Sequence, residues 1–74
     1  MYAEQFAQKL KIARKNAGYT QIQIMEILGI NRNTLAGYET GRTQPDFETL
    51  GILADFYEVS VDWLLGTKGQ NRVS

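Results

Sequence analysis

The sequence predicts an all-α fold, a compact five-helix bundle. Apolar residues recur at three- and four-residue spacings along almost the whole chain, and no segment alternates over enough residues to read as a strand. Most of these apolar stripes are also punctuated as helices are, with a small polar residue before them and a glycine after them.

Ala3, Phe6, Leu10, Ala13 and Ala17 form the stripe of the first helix, which closes at Gly18 with basic residues in the preceding turns to complement the helix dipole. Thr20 followed by Gln23 has the form of a capping box, so a second helix of about two turns begins there. Ile24, Met25 and Leu28 make its buried face, Ile22 and Ile27 look outward, and Gly29 stops it. Asn31 is the N-cap of a third helix that Gly41 closes. Only Gly29-Ile30-Asn31 separates the two helices, a link too short for antiparallel neighbours. It favours a steep crossing with Ile30 tucked beneath the turn, a helix-turn-helix over about residues 20–41. Pro45 and the N-cap Asp46 open the fourth helix, with Phe47, Leu50, Leu53, Ala54 and Tyr57 inward and Ile52 and Phe56 outward. Ser60 caps a fifth, carrying Val61, Trp63, Leu64 and Leu65, and Gly66 ends it. Residues 1–66 thus read as one domain and 67–74 as a flexible tail. Leu10, Ile24, Leu28, Ile30, Leu35, Leu50, Leu53, Trp63 and Leu64 are expected to form its core.

The third helix has an unusual outer face. At about 100° per residue, Arg32, Asn33, Ala36, Gly37 and Thr40 fall within roughly 140° of arc, with Thr34, Leu35 and Tyr38 opposite. Glycine in a helix interior costs about 1 kcal/mol relative to alanine. Either the missing side chain lets something approach the backbone closely, or Gly37 is simply tolerated on an exposed face.

Composition narrows the chemistry. With 74 residues and no cysteine or histidine, the chain offers one modest core, no thiolate or imidazole metal site and no imidazole base, so no metal, cofactor or enzymatic activity is expected. No nucleophile–base pair or carboxylate cluster has a recognisable spacing either. No apolar run approaches the roughly 20 residues of a membrane span, and the first residues lack a signal-peptide core; a soluble, cytoplasmic protein is the expectation. Eight basic and eight acidic residues cancel, but not locally. Lys9, Lys11, Arg14, Lys15, Arg32 and Arg42 outweigh Glu26 and Glu39 in residues 9–42, whereas residues 43–67 carry Asp46, Glu48, Asp55, Glu58 and Asp62 with no basic residue. A neutral chain so divided can still present a positive face to a polyanion.

The stretches LKIARKNAGYTQ, TQIQIMEILGINRNTLAGYETGRTQPDFETL and VSVDWLLG resemble the phage-repressor and Cro-type (Xre) helix-turn-helix domains. Thr20-Gln21, Leu28-Gly29, Asn31-Arg32, Tyr38-Glu39, Gly41, Pro45 and Leu50 carry the likeness, from about Leu10 to Gly66. It implies a lambda-repressor-like DNA-binding domain whose third helix enters the major groove. The positions that would touch bases and nearby phosphates are Asn31, Arg32, Asn33, Ala36 and Gly37. Arg32 suits guanine O6 and N7, and Asn33 suits adenine N6 and N7. Gly37 departs from the family, which usually has a longer polar side chain there. The likeness also implies phosphate contacts from Gln21, Thr40 and Arg42, and an ion pair between Arg14 and Glu39 that joins the first and third helices. Glu58 stands where the family often has glycine; if that residue needs a positive φ, it is strained.

The expectation is therefore a sequence-specific DNA-binding transcriptional regulator, a repressor that recognises a pseudo-palindrome in double-stranded DNA as a homodimer, with Ile52, Phe56 and Trp63 as dimer-surface candidates. The alternative is a protein-interaction module, such as an antitoxin or anti-repressor, that keeps the fold and binds a protein partner.

Overall fold

The computed structural model describes residues 2–67, which form five α-helices: α1 (Tyr2–Ala17), α2 (Gln21–Leu28), α3 (Arg32–Thr40), α4 (Phe47–Tyr57) and α5 (Val61–Leu65). The tail expected at 67–74 lies outside the described residues apart from Thr67, whose amide donates to Asp62 O at 3.0 Å. The all-helical fold read from the apolar spacing is the one found, and no helix of the described residues is long and apolar enough to cross a membrane.

Local sequence determines the ends of these helices. Thr20 Oγ1 accepts from Gln23 N at 3.1 Å while the Gln23 side chain accepts from Thr20 N at 2.9 Å, a complete capping box. Asp46 accepts from Thr49 N at 2.8 Å and Ser60 from Trp63 N at 3.0 Å. The Asp46 bond favours the ionised carboxyl and holds its pKa below the ordinary value. Glu58 ends α4 in the left-handed region, φ 59° and ψ 44°, the one non-glycine residue with positive φ among those described.

The core takes one fully buried side chain from every helix: Leu10, Ile24, Leu35, Leu53 and Leu64. Each contributes about 1.5–3 kcal/mol of apolar burial. Phe6, Ala13, Ala54 and Tyr57 complete the buried cluster, and Leu28, Ile30 and Leu50 pack partly buried against it. Helix α1 is the strut, packing against α3, α4 and α5, while α2 rests on α3 and α4 on α5.

Some apolar residues sit elsewhere than their spacing suggests. Ala3 and Ala17, at the two ends of the α1 stripe, are exposed because the stripe outruns the layer it packs against. Phe47, expected inward, is 91% exposed. It is the first residue of α4, and helical side chains lean toward the N-terminus, so its ring projects past the end of the packed layer. Trp63 is 39% exposed rather than core, its ring lying under Lys9 Nζ at 5.2 Å. Phe56, expected outward, is half-buried, its ring 5.0 Å from that of Tyr19 and 5.9 Å from that of Tyr57.

Candidate nucleic-acid interface

Gly29 adopts φ 76°, a conformation that few residues other than glycine take, and its amide closes α2 by donating to Met25 O at 2.9 Å. Three residues later α3 is under way, with Asn31 Oδ1 accepting from Asn33 N at 2.8 Å as the N-cap. The cap uses the oxygen of the Asn31 amide and leaves its NH2 to donate outward. Arg32 and Asn33 follow, both exposed, at the mouth of the helix.

The opposite side of α3 is fixed by a buried polar network. Arg14 Nε donates to Glu39 Oε2 at 2.8 Å and Nη2 to Glu39 Oε1 at 3.0 Å, a bidentate pair with 7% of each residue exposed. The remaining Arg14 nitrogen, Nη1, donates to Tyr19 O at 2.8 Å, and Gln21 Nε2 reaches Glu39 Oε1 at 3.1 Å. The hydrogen bond to Glu39 raises the Arg14 pKa against the opposing effect of burial. One carboxylate therefore ties α1, the start of α2 and α3 together. Buried Tyr57 faces the same network: burial first, then the Glu39 charge, pushes its pKa well up, and its hydroxyl has no hydrogen-bond partner among the described residues.

The outer face of α3 is not uniformly open. Ala36 is half-buried and Gly37 is buried, so of the two readings of position 37 the one that leaves glycine on an exposed face does not hold. The turn after α3 folds back over it. The Gly37 carbonyl accepts from Arg42 N at 3.0 Å, from Thr43 N at 3.3 Å and from the amide of Gly41, the last in the left-handed conformation at φ 82°. Thr40 Oγ1 donates to Ala36 O at 3.0 Å, with Gly37 O at 3.3 Å, so its single proton is already engaged within the helix. A phosphate, which only accepts, would have to compete for it. Arg42 is exposed and its guanidinium makes no hydrogen bond among the described residues.

The expected site residues thus divide by geometry. Asn31, Arg32, Asn33 and Arg42 are exposed, with side-chain donors that have no partner among the described residues, and Asn33, Gly37 and Arg42 line one groove. Gln21 is turned to Glu39, and Thr40 to its own backbone. Thr43 was missed by sequence reasoning, although it lines the groove with Asn33, Gly37 and Arg42. The available signal was Gly37 itself, since glycine is favoured where another group must come close to the backbone. Among the described residues no group of three or more carboxylates could hold a metal ion.

The family described as helix-turn-helix matches residues 10–64 of the chain. The HTH-type transcriptional regulator ImmR of Bacillus subtilis is 48% identical over 58 residues, covering 78% of this chain and 46% of ImmR. The SPbeta prophage-derived HTH-type transcriptional regulator YonR of Bacillus subtilis is 41% identical over 66 residues, 88% of this chain and 61% of YonR. The cryptic phage CTXphi transcriptional repressor RstR of Vibrio cholerae is 30% identical over 66 residues, 89% of this chain and 60% of RstR. The chain spans about half to three-fifths of the length of these relatives.

Proposed function

Because the chain belongs to the phage-repressor type of helix-turn-helix family, we propose that it is a sequence-specific DNA-binding transcriptional regulator, a repressor that occupies a pseudo-palindromic operator as a homodimer. The observation that carries this reading is the division of α3. Its inner side is clamped by the buried Arg14–Glu39–Gln21 network, while Asn31, Arg32 and Asn33 stand exposed at its start with donors free. A helix so held is a rigid platform for side chains that match base edges in the major groove. In this reading Arg32 and Asn33 read bases, Asn31 bonds a phosphate or a base, Gly37 lies under the turn that carries Arg42 beside the reading face, and Gln21 and Thr40 border the DNA backbone.

A single short helix covers a few base pairs. Two subunits with half-sites about 34 Å apart supply the specificity a regulator needs. Ile52 and Trp63, 45% and 39% exposed, with half-buried Phe56 nearby, are the proposed dimer surface. Repression then needs only occlusion of the operator, with no chemistry, and the protein would act in the cytoplasm.

The test is selection of bound duplexes from a random library at low and at physiological salt. The expected result is an enriched inverted repeat, bound with a log K that falls against log salt by about 0.9 for each phosphate neutralised. A second reading, a fold-keeping protein-interaction module, is favoured by one observation: Phe47 is 91% exposed beside the apolar groove of Tyr2, Phe6, Leu50 and Leu65. That reading predicts no enrichment and partner binding with little salt dependence.

A further inference from the structure

Position 37 and the turn that follows α3 belong together. A Cβ built on Gly37 would stand 2.8 Å from Thr43 Oγ1, closer than such atoms approach, and 3.6 and 3.9 Å from Arg42 Nη2 and Nε. The space that a side chain at 37 would fill is therefore already taken, by the Thr43 hydroxyl and the Arg42 guanidinium. Backbone hydrogen bonds keep the turn in place, since Arg42 N and Thr43 N both donate to the Gly37 carbonyl, at 3.0 and 3.3 Å. The guanidinium lies in the same groove as Asn33, and Asn33 and Gly37 are four residues apart, on one face of the helix. Among the described residues it has no acidic partner, so its fork of donors is unspent.

Resting on the DNA-binding reading above, we infer that Arg42 is a base-reading residue: seated over Gly37, it reads a guanine through O6 and N7 in place of the side chain that α3 lacks. The chemistry selects this ligand. A planar, bidentate donor held beside the reading face matches the guanine major-groove edge, and Asn33 matches adenine. Four residues of helix rise about 6 Å, so the guanine falls within about two base pairs of the base that Asn33 reads. Gly37 is then what admits the arginine to the groove.

The experiment repeats duplex selection with the wild-type chain, Arg42→Ala, Arg42→Lys, Gly37→Gln and, as comparator, Asn33→Ala, each checked for unchanged helicity by circular dichroism. The wild type is expected to enrich a half-site with guanine at one position preferred on the order of tenfold to a hundredfold. Arg42→Ala brings that one preference near unity and leaves the others, Arg42→Lys weakens the same preference because its ammonium lacks the planar fork, Gly37→Gln alters the same position by displacing Arg42, and Asn33→Ala alters a different one. If Arg42→Ala selects the wild-type motif with uniformly weaker binding, and Arg42→Lys binds as the wild type does, Arg42 contacts a phosphate and the inference fails while DNA reading stands. If the wild type enriches nothing, the DNA-binding reading itself falls and takes the inference with it.

Discussion

The side chains of α1, α2 and α3 are joined by hydrogen bonds that cross from helix to helix, with Arg14, Gln21 and Glu39 meeting below the surface. In α4 and α5 the side-chain hydrogen bonds among the described residues stay within their own turns: Asp46 to Thr49 N, Ser60 to Trp63 N, Thr67 to Asp62. These helices hold to the rest through Leu50, Leu53, Ala54, Tyr57 and Leu64. The difference separates two tasks that packing alone merges. Apolar contacts tolerate small rotations of one helix against another, whereas a bidentate ion pair specifies the angle at which a helix presents its far side. The reading helix sits in the half that is specified, and α4 and α5 act as its buttress.

The strongest way to break this comparison is to cut the network. Arg14→Ala leaves the Glu39 carboxylate buried with Gln21 as its remaining donor among the described residues, and stranding one charge of a buried pair typically costs about 3–5 kcal/mol. Total stabilities of small domains lie at about 5–15 kcal/mol, so a urea melt is expected to lose a large fraction of the whole. A loss below about 1 kcal/mol would assign the pair to the class of solvent-screened surface bridges and remove the distinction between the halves.

Tyr57 tests where the network ends. Its hydroxyl, on α4, is desolvated next to Glu39 and Arg14 without a partner among the described residues, and an unmade buried hydrogen bond costs about 1–3 kcal/mol. Tyr57→Phe is therefore expected to stabilise the fold by about 1 kcal/mol, read as a higher urea midpoint at unchanged slope. A lower midpoint would mean that the hydroxyl bonds Glu39 and that the polar network extends into the second half.

What could be read from the sequence follows the same local-versus-distant line. Helix ends were legible because caps are local: Thr20 with Gln23, Asn31, Asp46, Ser60, and the glycines 29 and 41 all act within a few residues of themselves. The membership of the α3 outer face was legible from its 100° spacing, as far as Arg32, Asn33, Ala36, Gly37 and Thr40. Which of those residues keep free donors was not. Thr40 spends its proton on its own helix, and Gly37 is covered by a turn whose course no periodicity encodes. Phe47 and Trp63 failed for a related reason, since the helical wheel gives the angle of a residue but not whether a neighbour reaches that level of the helix.

Glu58 and Gly37 are mirror cases, and the pair yields the smallest expected effect. At 37 the space is closed to a side chain; at 58 the space is open but the backbone, at φ 59° and ψ 44°, favours glycine. The left-handed conformation costs a non-glycine residue roughly 1–2 kcal/mol, and glycine gives back part of the gain through the greater freedom of its unfolded chain. Glu58→Gly is therefore expected to stabilise the domain by about 0.5–1 kcal/mol, with the hydrogen bonds from its amide to Ala54 O and Asp55 O retained. Because the residue ends α4 in the buttress, its removal should leave the affinity for a selected duplex unchanged. A stabilised variant whose DNA affinity also shifts would show that α4 does more than support α3, and the two halves would have to be treated as one coupled unit.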